Sequence, residues 1–339
     1  MAISLVNIFT IYIFLLGSTI AAQEQRRHCG GLDHSTLTRP CRNNDTDCGQ
    51  WNDKWWNPYN CHYRDVTPDH ARKCIGNRTL ACIGDSQIRD TCLALVYLLL
   101  GIFNEKDTML MGKFDRRSSD MDNYGTIIDD VPFWKLNVPP HNHNGYIFPK
   151  PFNSSFTEHK WQLQMWSLFR REFMYGGQAV DIIKNRMVNA TQNLRPIDFV
   201  LWNYGLHDYG WFQEPPRGQR YYDALVKSDF VNNIPNAKMP MVWVSMNQNC
   251  KAKMREEELK RDQAGMVTDA NAYVNMKFLQ SKLPYWDADA VLRTDSSCER
   301  SADGVHVNMY VDMMRAKMLL NHLCDHNWNW RDNPLKHFL

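Results

Sequence analysis

The chain has 339 residues and a formal net charge of +2, so it is long enough to bury one sizeable core or one core with a small satellite. Because no long basic run accompanies this near-neutral charge, nucleic acid is not an expected partner. The ten cysteines contain no CxxC pair and no Cys/His cluster with ligand spacing, so the sequence predicts no metal site.

Residues 1–22 have the pattern of a secretory signal peptide. Residues 3–22 are uncharged and mostly apolar, and the small residues Thr19, Ala21 and Ala22 suit cleavage by a signal peptidase. Because no Lys or Arg precedes the apolar run, an uncleaved signal anchor is the alternative, and we expect membrane contact only in that case. Both interpretations predict entry into the secretory pathway.

Residues 23–76 are a Cys-rich N-terminal segment. The segment is polar and has no long periodic element, so we expect disulfides rather than a core of its own to hold it. Seven cysteines lie up to residue 92 and three from residue 250 onward, so complete pairing requires at least one bridge between the two ends, with the connectivity left open. Four sequons are consistent with glycosylation in the secretory pathway: Asn44, Asn77, Asn153 and Asn189.

Residues 77–339 alternate short apolar runs with helical patterns. The predicted strands are 78–83, 198–202, 239–246 and a short one near 289–292. The predicted helices are 87–103, 158–173, 265–283 and 308–325. Strands that alternate with helices predict an α/β domain whose parallel sheet is covered on both faces. The remainder of 104–195 is interpreted as loops and insertions over the catalytic face.

Two short motifs at opposite ends of this region carry candidate chemistry. Ser86 follows the first strand directly and is a candidate nucleophile, with His306 as its base and Asp303 as the acid that orients the imidazole. The alternative is structural: Ser86 caps the following helix, and Asp303 caps the last helix while His306 lies on the surface. We assign Asp85, which precedes the serine, to helix capping rather than catalysis.

Two groups are candidate donors to an oxyanion. The backbone N–H of Ser86 lies near a helix N-terminus, where negative charge is stabilised. Asn203 ends the second buried strand, and its side-chain amide can supply the second hydrogen bond. The alternative for Asn203 is a turn-forming residue before Gly205.

Three further residues have competing interpretations. His207 and Asp208 are a rival base and acid, ranked below His306 and Asp303. Arg89, one turn beyond Ser86, can orient a substrate or an acidic neighbour, and the alternative is a solvated surface arginine.

The chain resembles the PC-esterase branch of the SGNH/GDSL hydrolase superfamily, which includes the plant trichome-birefringence-like polysaccharide O-acetyltransferases and the animal NXPE proteins. The resemblance depends on these residues: Gly49-Gln50-Trp51, Trp56-Asn57-Pro58, Cys61, Cys74, Ile83-Gly84-Asp85-Ser86-Gln87-Ile88-Arg89, Cys298, Asp303-Gly304-Val305-His306 and Cys324. It implies a flavodoxin-like three-layer α/β/α domain after the Cys-rich segment. It also implies a Ser86, His306 and Asp303 triad with Asn203 in the oxyanion hole, and Gly176 or Gly177 is a candidate for the family's block glycine.

The resemblance implies a glycan O-acetyltransferase that works through an acyl-enzyme in the Golgi lumen or outside the cell. A carbohydrate acetylesterase of the same fold is the first alternative, and a non-catalytic glycan-binding protein is the second. We expect no bound cofactor, and acetyl-CoA is a candidate co-substrate for a transferase. A glycan or other carbohydrate is the expected partner.

Overall fold

The structure is a computed structural model whose described residues include most of the predicted α/β core. They are residues 49–52, 55–58, 62–101, 134–138, 143–148, 162–167, 196–203, 219, 222–223, 241–256, 259, 266–281, 285–292 and 298–325. The proposed signal peptide lies outside these residues, and so do His207, Asp208, Gly176 and Gly177. None of the helices described is long and apolar enough to cross a membrane.

Nine strands and four α-helices are described, together with two short 3-10 helices. The strands are β1 Gly49–Asn52, β2 Trp55–Pro58, β3 Thr79–Gly84, β4 Trp134–Val138, β5 His143–Phe148, β6 Gln162–Ser167, β7 Phe199–Asn203, β8 Met241–Val244 and β9 Tyr285–Trp286. The helices are α1 Pro68–Ile75, α2 Ser86–Leu100, α3 Met266–Gln280 and α4 Met309–Asp325, with 3-10 turns at Lys251–Lys253 and Ala290–Leu292.

Seven of these strands form one sheet in the order β4-β5-β6-β3-β7-β8-β9. The five strands from β6 to β9 in this order are parallel, and β5 and β4 extend one edge in antiparallel fashion. Every residue of β3, β7 and β8 is buried, as expected for parallel strands covered on both sides.

Helices cover both faces of the sheet. On one face Leu80, Cys82 and Leu201 share a buried cluster with α2 and α4. On the other face Trp202 and Trp243 point the opposite way and pack against Phe278 of α3, with ring centroids 6.0 and 5.7 Å apart. Because successive side chains of a strand alternate between faces, this arrangement confirms the predicted three-layer α/β/α fold.

Two of the predicted elements are wrong. Residues 162–167 of the predicted helix 158–173 form strand β6, which pairs in parallel with β3. The predicted strand at 289–292 is instead a 3-10 turn, closed by a bond from the Leu292 N–H to the Asp289 carbonyl. Residues 162–167 and 289–292 are both short stretches. A short apolar stretch fits the spacing of a helix as well as that of a strand, and only its hydrogen-bond partners decide between them. Strands β4 and β5 likewise replace part of the predicted loops.

The N-terminal segment packs on the C-terminal helix. Trp56 of the β1–β2 hairpin and Ile75 of α1 are buried in the same cluster as α2 and α4. A disulfide between Cys74 and Cys324 joins the two ends of the chain, as the odd cysteine counts predicted. Two others, Cys82–Cys92 and Cys250–Cys298, are present in the part of the chain described, and disulfides are typical of an oxidising, extracellular or secretory environment. The boundary at residue 76 stays a prediction.

Candidate active site

Ser86 lies at the carboxyl end of the central strand, where β3 turns into α2. Asp85 is the N-cap of α2, and its carboxylate accepts a hydrogen bond from the Gln87 N–H at 3.0 Å, which fits the capping role predicted for it. As the first residue of α2, Ser86 has a backbone N–H with no acceptor inside the helix. A disulfide between Cys82 of β3 and Cys92 of α2 fixes the strand and helix on either side of the serine.

Residues 298–307 form a loop before α4, which we call the His306 loop. Asp303 organises it: Oδ1 accepts hydrogen bonds from the backbone N–H groups of Val305 and His306, at 3.0 and 2.8 Å. The other oxygen, Oδ2, lies 2.8 Å from His306 Nδ1. One carboxylate therefore holds both the loop backbone and the imidazole ring.

The fold brings Ser86, His306 and Asp303 together across 220 positions of sequence. Ser86 Oγ lies 2.6 Å from His306 Nε2. Because a carboxylate oxygen can only accept, Nδ1 must carry a proton and donate to Asp303. In neutral imidazole Nε2 is then the acceptor, so the Ser86 hydroxyl donates to it. The side chains of His306 and Asp303 are 17% and 35% exposed, whereas Ser86 is 7% exposed, so solvent reaches the histidine and aspartate end of the row.

Asn203 lies beside the serine turn, since its strand position is paired with Gly84. Its amide Nδ2 donates to the Val244 carbonyl at 2.7 Å. This hydrogen bond uses one of the two N–H bonds of the amide, so the second can donate to another acceptor. Its Oδ1 is buried and has no partner among the residues described. The side chain is thus held by β8, and the turn predicted before Gly205 lies outside the described residues.

Arg89 is buried, with 7% exposure, so the alternative of a solvated surface arginine is wrong. Its Nε and Nη2 both donate to Asp90 Oδ1, at 3.2 and 3.1 Å. The structure thus places an acidic neighbour against Arg89, while a role in orienting substrate stays a prediction.

Sequence reasoning missed several residues that hold the His306 loop. The Ser301 hydroxyl donates to the His306 carbonyl and accepts from the Gly304 N–H, at 3.2 and 2.9 Å. The Cys250 N–H donates to the Gly304 carbonyl at 2.7 Å, and Cys250 is also bonded to Cys298. A serine two residues before an Asp-Gly pair is a turn signal that points to the first of these contacts. The two contacts of Cys250 have no such local signal, because they join segments about fifty residues apart.

The remaining predicted residues are placed as follows. Asn77 is exposed in the turn before β3, at the opposite end of that strand from Ser86. The other three sequons, Asn44, Asn153 and Asn189, lie outside the described residues. No group of His, Cys, Asp and Glu able to hold a metal occurs among the residues that the structure places.

No protein-family model matches the chain, and no curated protein is similar to it at a significant level. One solved structure to which it is similar is Axe2, an acetylxylan esterase from Geobacillus stearothermophilus. The two are 12% identical, the match covers 73% of this chain and 94% of that one, and the TM-score is 0.37. A likeness this remote does not indicate a function. The proposal for the function is therefore based on the geometry of the site.

Proposed function

We propose that this protein is a serine-dependent O-acetyltransferase of the secretory pathway that modifies a glycan through a covalent acyl-enzyme. The observation that carries the proposal is the row of hydrogen bonds from Ser86 Oγ to His306 Nε2 and from His306 Nδ1 to Asp303 Oδ2. A hydroxyl is a weak nucleophile until a base takes its proton, and an imidazole oriented by a carboxylate is suited to that task.

In the first step Ser86 Oγ attacks the carbonyl carbon of an acetyl donor, and the hydroxyl proton moves to His306 Nε2. Negative charge develops on the carbonyl oxygen. The Ser86 N–H at the start of α2 and the second amide N–H of Asn203 are the groups proposed to stabilise it. When the intermediate collapses, the bond to the leaving group breaks, and the leaving group takes the proton from Nε2.

In the second step an acceptor hydroxyl gives its proton to His306 Nε2 and attacks the acetyl carbon of the acyl-enzyme. Ser86 Oγ then leaves and recovers the proton. A sugar hydroxyl as acceptor makes the protein a transferase, and water makes it an esterase. The resemblance of the serine and histidine motifs to the PC-esterase branch supports the sugar, and it also supports action in the Golgi lumen or outside the cell.

Ser86→Ala tests the nucleophile. We expect turnover of p-nitrophenyl acetate to fall by about 10⁴-fold or more, because Ser86 Oγ is the hydroxyl that lies against Nε2 among the residues that the structure describes. The matched control is Ser281→Ala, which removes an exposed hydroxyl bonded to Tyr222 and should leave turnover unchanged. Full turnover by a folded Ser86→Ala protein would rule out the serine mechanism.

Intact-mass analysis then identifies the acceptor. After exposure to an activated acetyl donor, the wild-type protein should carry one acetyl group on Ser86, and a sugar acceptor should remove it and become acetylated. Release of acetate at the same rate without sugar would identify an esterase instead. No adduct, together with equal glycan binding by wild type and Ser86→Ala, would identify a non-catalytic glycan-binding protein.

A further inference from the structure

Gln87 follows the nucleophile directly and joins three separate segments. Its Nε2 donates to the Val305 carbonyl at 3.0 Å, and its Oε1 accepts from the Asn247 N–H at 2.9 Å. Val305 immediately precedes His306, and Asn247 belongs to the segment after β8. One amide side chain therefore fixes the start of α2 to the His306 loop and to the segment after β8.

The contact is buried, and both the nitrogen and the oxygen of the amide have a partner. Gln87 is 3% exposed, and its donor faces a carbonyl while its acceptor faces an N–H, so the amide has only one favourable orientation. A polar group buried in this way stabilises a single arrangement, because loss of either partner leaves an unsatisfied group out of water. No apolar side chain of the same size can hold the loop in this way.

A second buried residue holds Asn247 in place. Arg315 of α4 donates from Nη1 to Asn247 Oδ1 at 2.7 Å, and from Nε and Nη2 to the Ala288 carbonyl, at 3.1 and 2.7 Å. Burial lowers the pKa of Arg315, whereas the carboxylates of Asp312, Asp289 and Asp287 raise it. Arginine is effectively always protonated, so this is a fixed donor.

Hydrogen bonds and the chain itself connect the residues around the site in a ring. It runs from Val305 through Gln87 and Asn247 to Arg315, and α4 leads back from Arg315 to the His306 loop. Val305, the residue before His306, is thus bonded directly to Gln87 of α2, and α4, which follows the loop, is linked to Gln87 through Arg315 and Asn247. The distance from Ser86 Oγ to His306 Nε2 depends on where this loop lies relative to α2.

We propose that Gln87 is a positioning residue for acyl transfer: its amide sets the His306 imidazole against the Ser86 hydroxyl through the Val305 carbonyl. The inference rests on the proposed function, since it assigns Gln87 a part in the same reaction. A catalytic group displaced by about 1 Å can lose roughly 100-fold in rate, so a single hydrogen bond that fixes the loop has a measurable effect.

Two substitutions test the role. Gln87→Met keeps the length of the side chain and removes both hydrogen bonds. Gln87→Glu keeps the acceptor for the Asn247 N–H and, when its carboxyl is ionised, has no donor for the Val305 carbonyl. We expect both to lower kcat and the rate of Ser86 labelling by a fluorophosphonate by about 10- to 100-fold, with KM changed by no more than about twofold.

Asn321→Leu is the matched control. Asn321 is also a buried amide that binds distant backbone, accepting from the Arg64 N–H at 3.0 Å and donating to the Arg64 carbonyl at 3.1 Å. It lies near the far end of α4 and does not contact the His306 loop. We expect Asn321→Leu to lower the melting temperature as the Gln87 variants do, but to leave kcat and the labelling rate unchanged.

The outcomes separate this inference from the proposed function. Rates for Gln87→Met and Gln87→Glu equal to wild type, measured on folded protein well below melting, would overturn the positioning role while the serine mechanism stands. Equal losses of kcat in Asn321→Leu would also overturn it, because the effect would then be general destabilisation. If wild type is not labelled at Ser86, the proposed function itself fails. Should Gln87→Met not be secreted, Gln87→Glu carries the test.

Discussion

Gly84 has no space for a side chain on the strand that leads to the nucleophile. A β-carbon built on it would lie 1.9 Å from the Asn203 carbonyl oxygen and 3.0 Å from Ile88 Cγ2. Its φ of +148° is also one that side chains rarely adopt. The glycine of the GDS motif therefore lets β3 lie close to β7, which places Ser86 beside Asn203.

Gly84→Ala should destabilise the protein by about 1–3 kcal/mol or more, because both strands that flank β3 restrict its movement. Labelling of Ser86 should fall as the turn shifts. Thermal melting and fluorophosphonate labelling measure the two effects. Gly76→Ala is the control: it also has a positive φ, of +60°, but among the described residues its β-carbon would meet only the Lys73 carbonyl, at 3.7 Å. Equal losses in both variants would contradict the crowding argument.

At the scale of elements, the His306 loop is held from outside by the segment after β8. The Cys250–Cys298 disulfide fixes its first residue, and the Cys250 N–H binds the Gly304 carbonyl in its middle. Gly304, with φ of +96°, packs directly on Met254, where a β-carbon would lie 2.5 Å from the Met254 backbone nitrogen. The loop that carries the base is therefore positioned by residues some fifty positions earlier in the chain.

Replacing Cys250 and Cys298 by serine should loosen this loop without removing any reacting group. We expect kcat to fall by roughly tenfold or more, because the imidazole samples positions away from the hydroxyl, while KM changes less. Steady-state kinetics on folded protein measures the changes in kcat and KM separately. An unchanged kcat would show that the hydrogen bonds of Asp303 and Gln87 suffice to hold the loop.

The helices and central strands could be predicted from the sequence because each has a long or strongly apolar pattern. Strands β3, β7 and β8 begin and end within two residues of their predicted bounds, and α2 and α4 within three. Strand β6, residues 162–167, could not be recognised from its pattern. Polar and apolar residues alternate in Gln162-Leu163-Gln164-Met165, but this stretch lies inside a longer run that also fits helical spacing. Of its two partners, β5 and β3, the latter lies about eighty residues earlier in the chain, and pairing of that kind is invisible to local periodicity.

At the scale of the whole molecule, the Cys74–Cys324 disulfide closes the chain across a separation of 250 residues. It joins α1 to the last turn of α4. Met309 begins α4 next to the His306 loop, so the bridge lies roughly 20 Å along the helix from the site. It therefore ties the ends of the molecule together rather than shaping the active site.

Replacing Cys74 and Cys324 by serine should lower the free energy of unfolding by about 2–5 kcal/mol, because the unfolded chain regains the freedom that the long loop removes. Turnover per folded molecule should stay unchanged below the melting transition. Denaturant unfolding and activity of the same samples test both statements. A fall in kcat similar to that of the Cys250 and Cys298 variant would show that the two bridges act on the site alike.

The residue types of the candidate site were readable in the sequence, because a serine after a buried strand and an Asp-x-x-His before a helix each have a local signature. The distances between these residues could not be predicted from the sequence. Ser86 and His306 meet only because α2 and α4 pack side by side on the sheet face that β3 belongs to. The same holds for Gln87 and for the cysteines of the Cys74–Cys324 and Cys250–Cys298 disulfides. Their partners are separated along the chain by loops whose closure no local pattern encodes, and they become neighbours through burial of a common core.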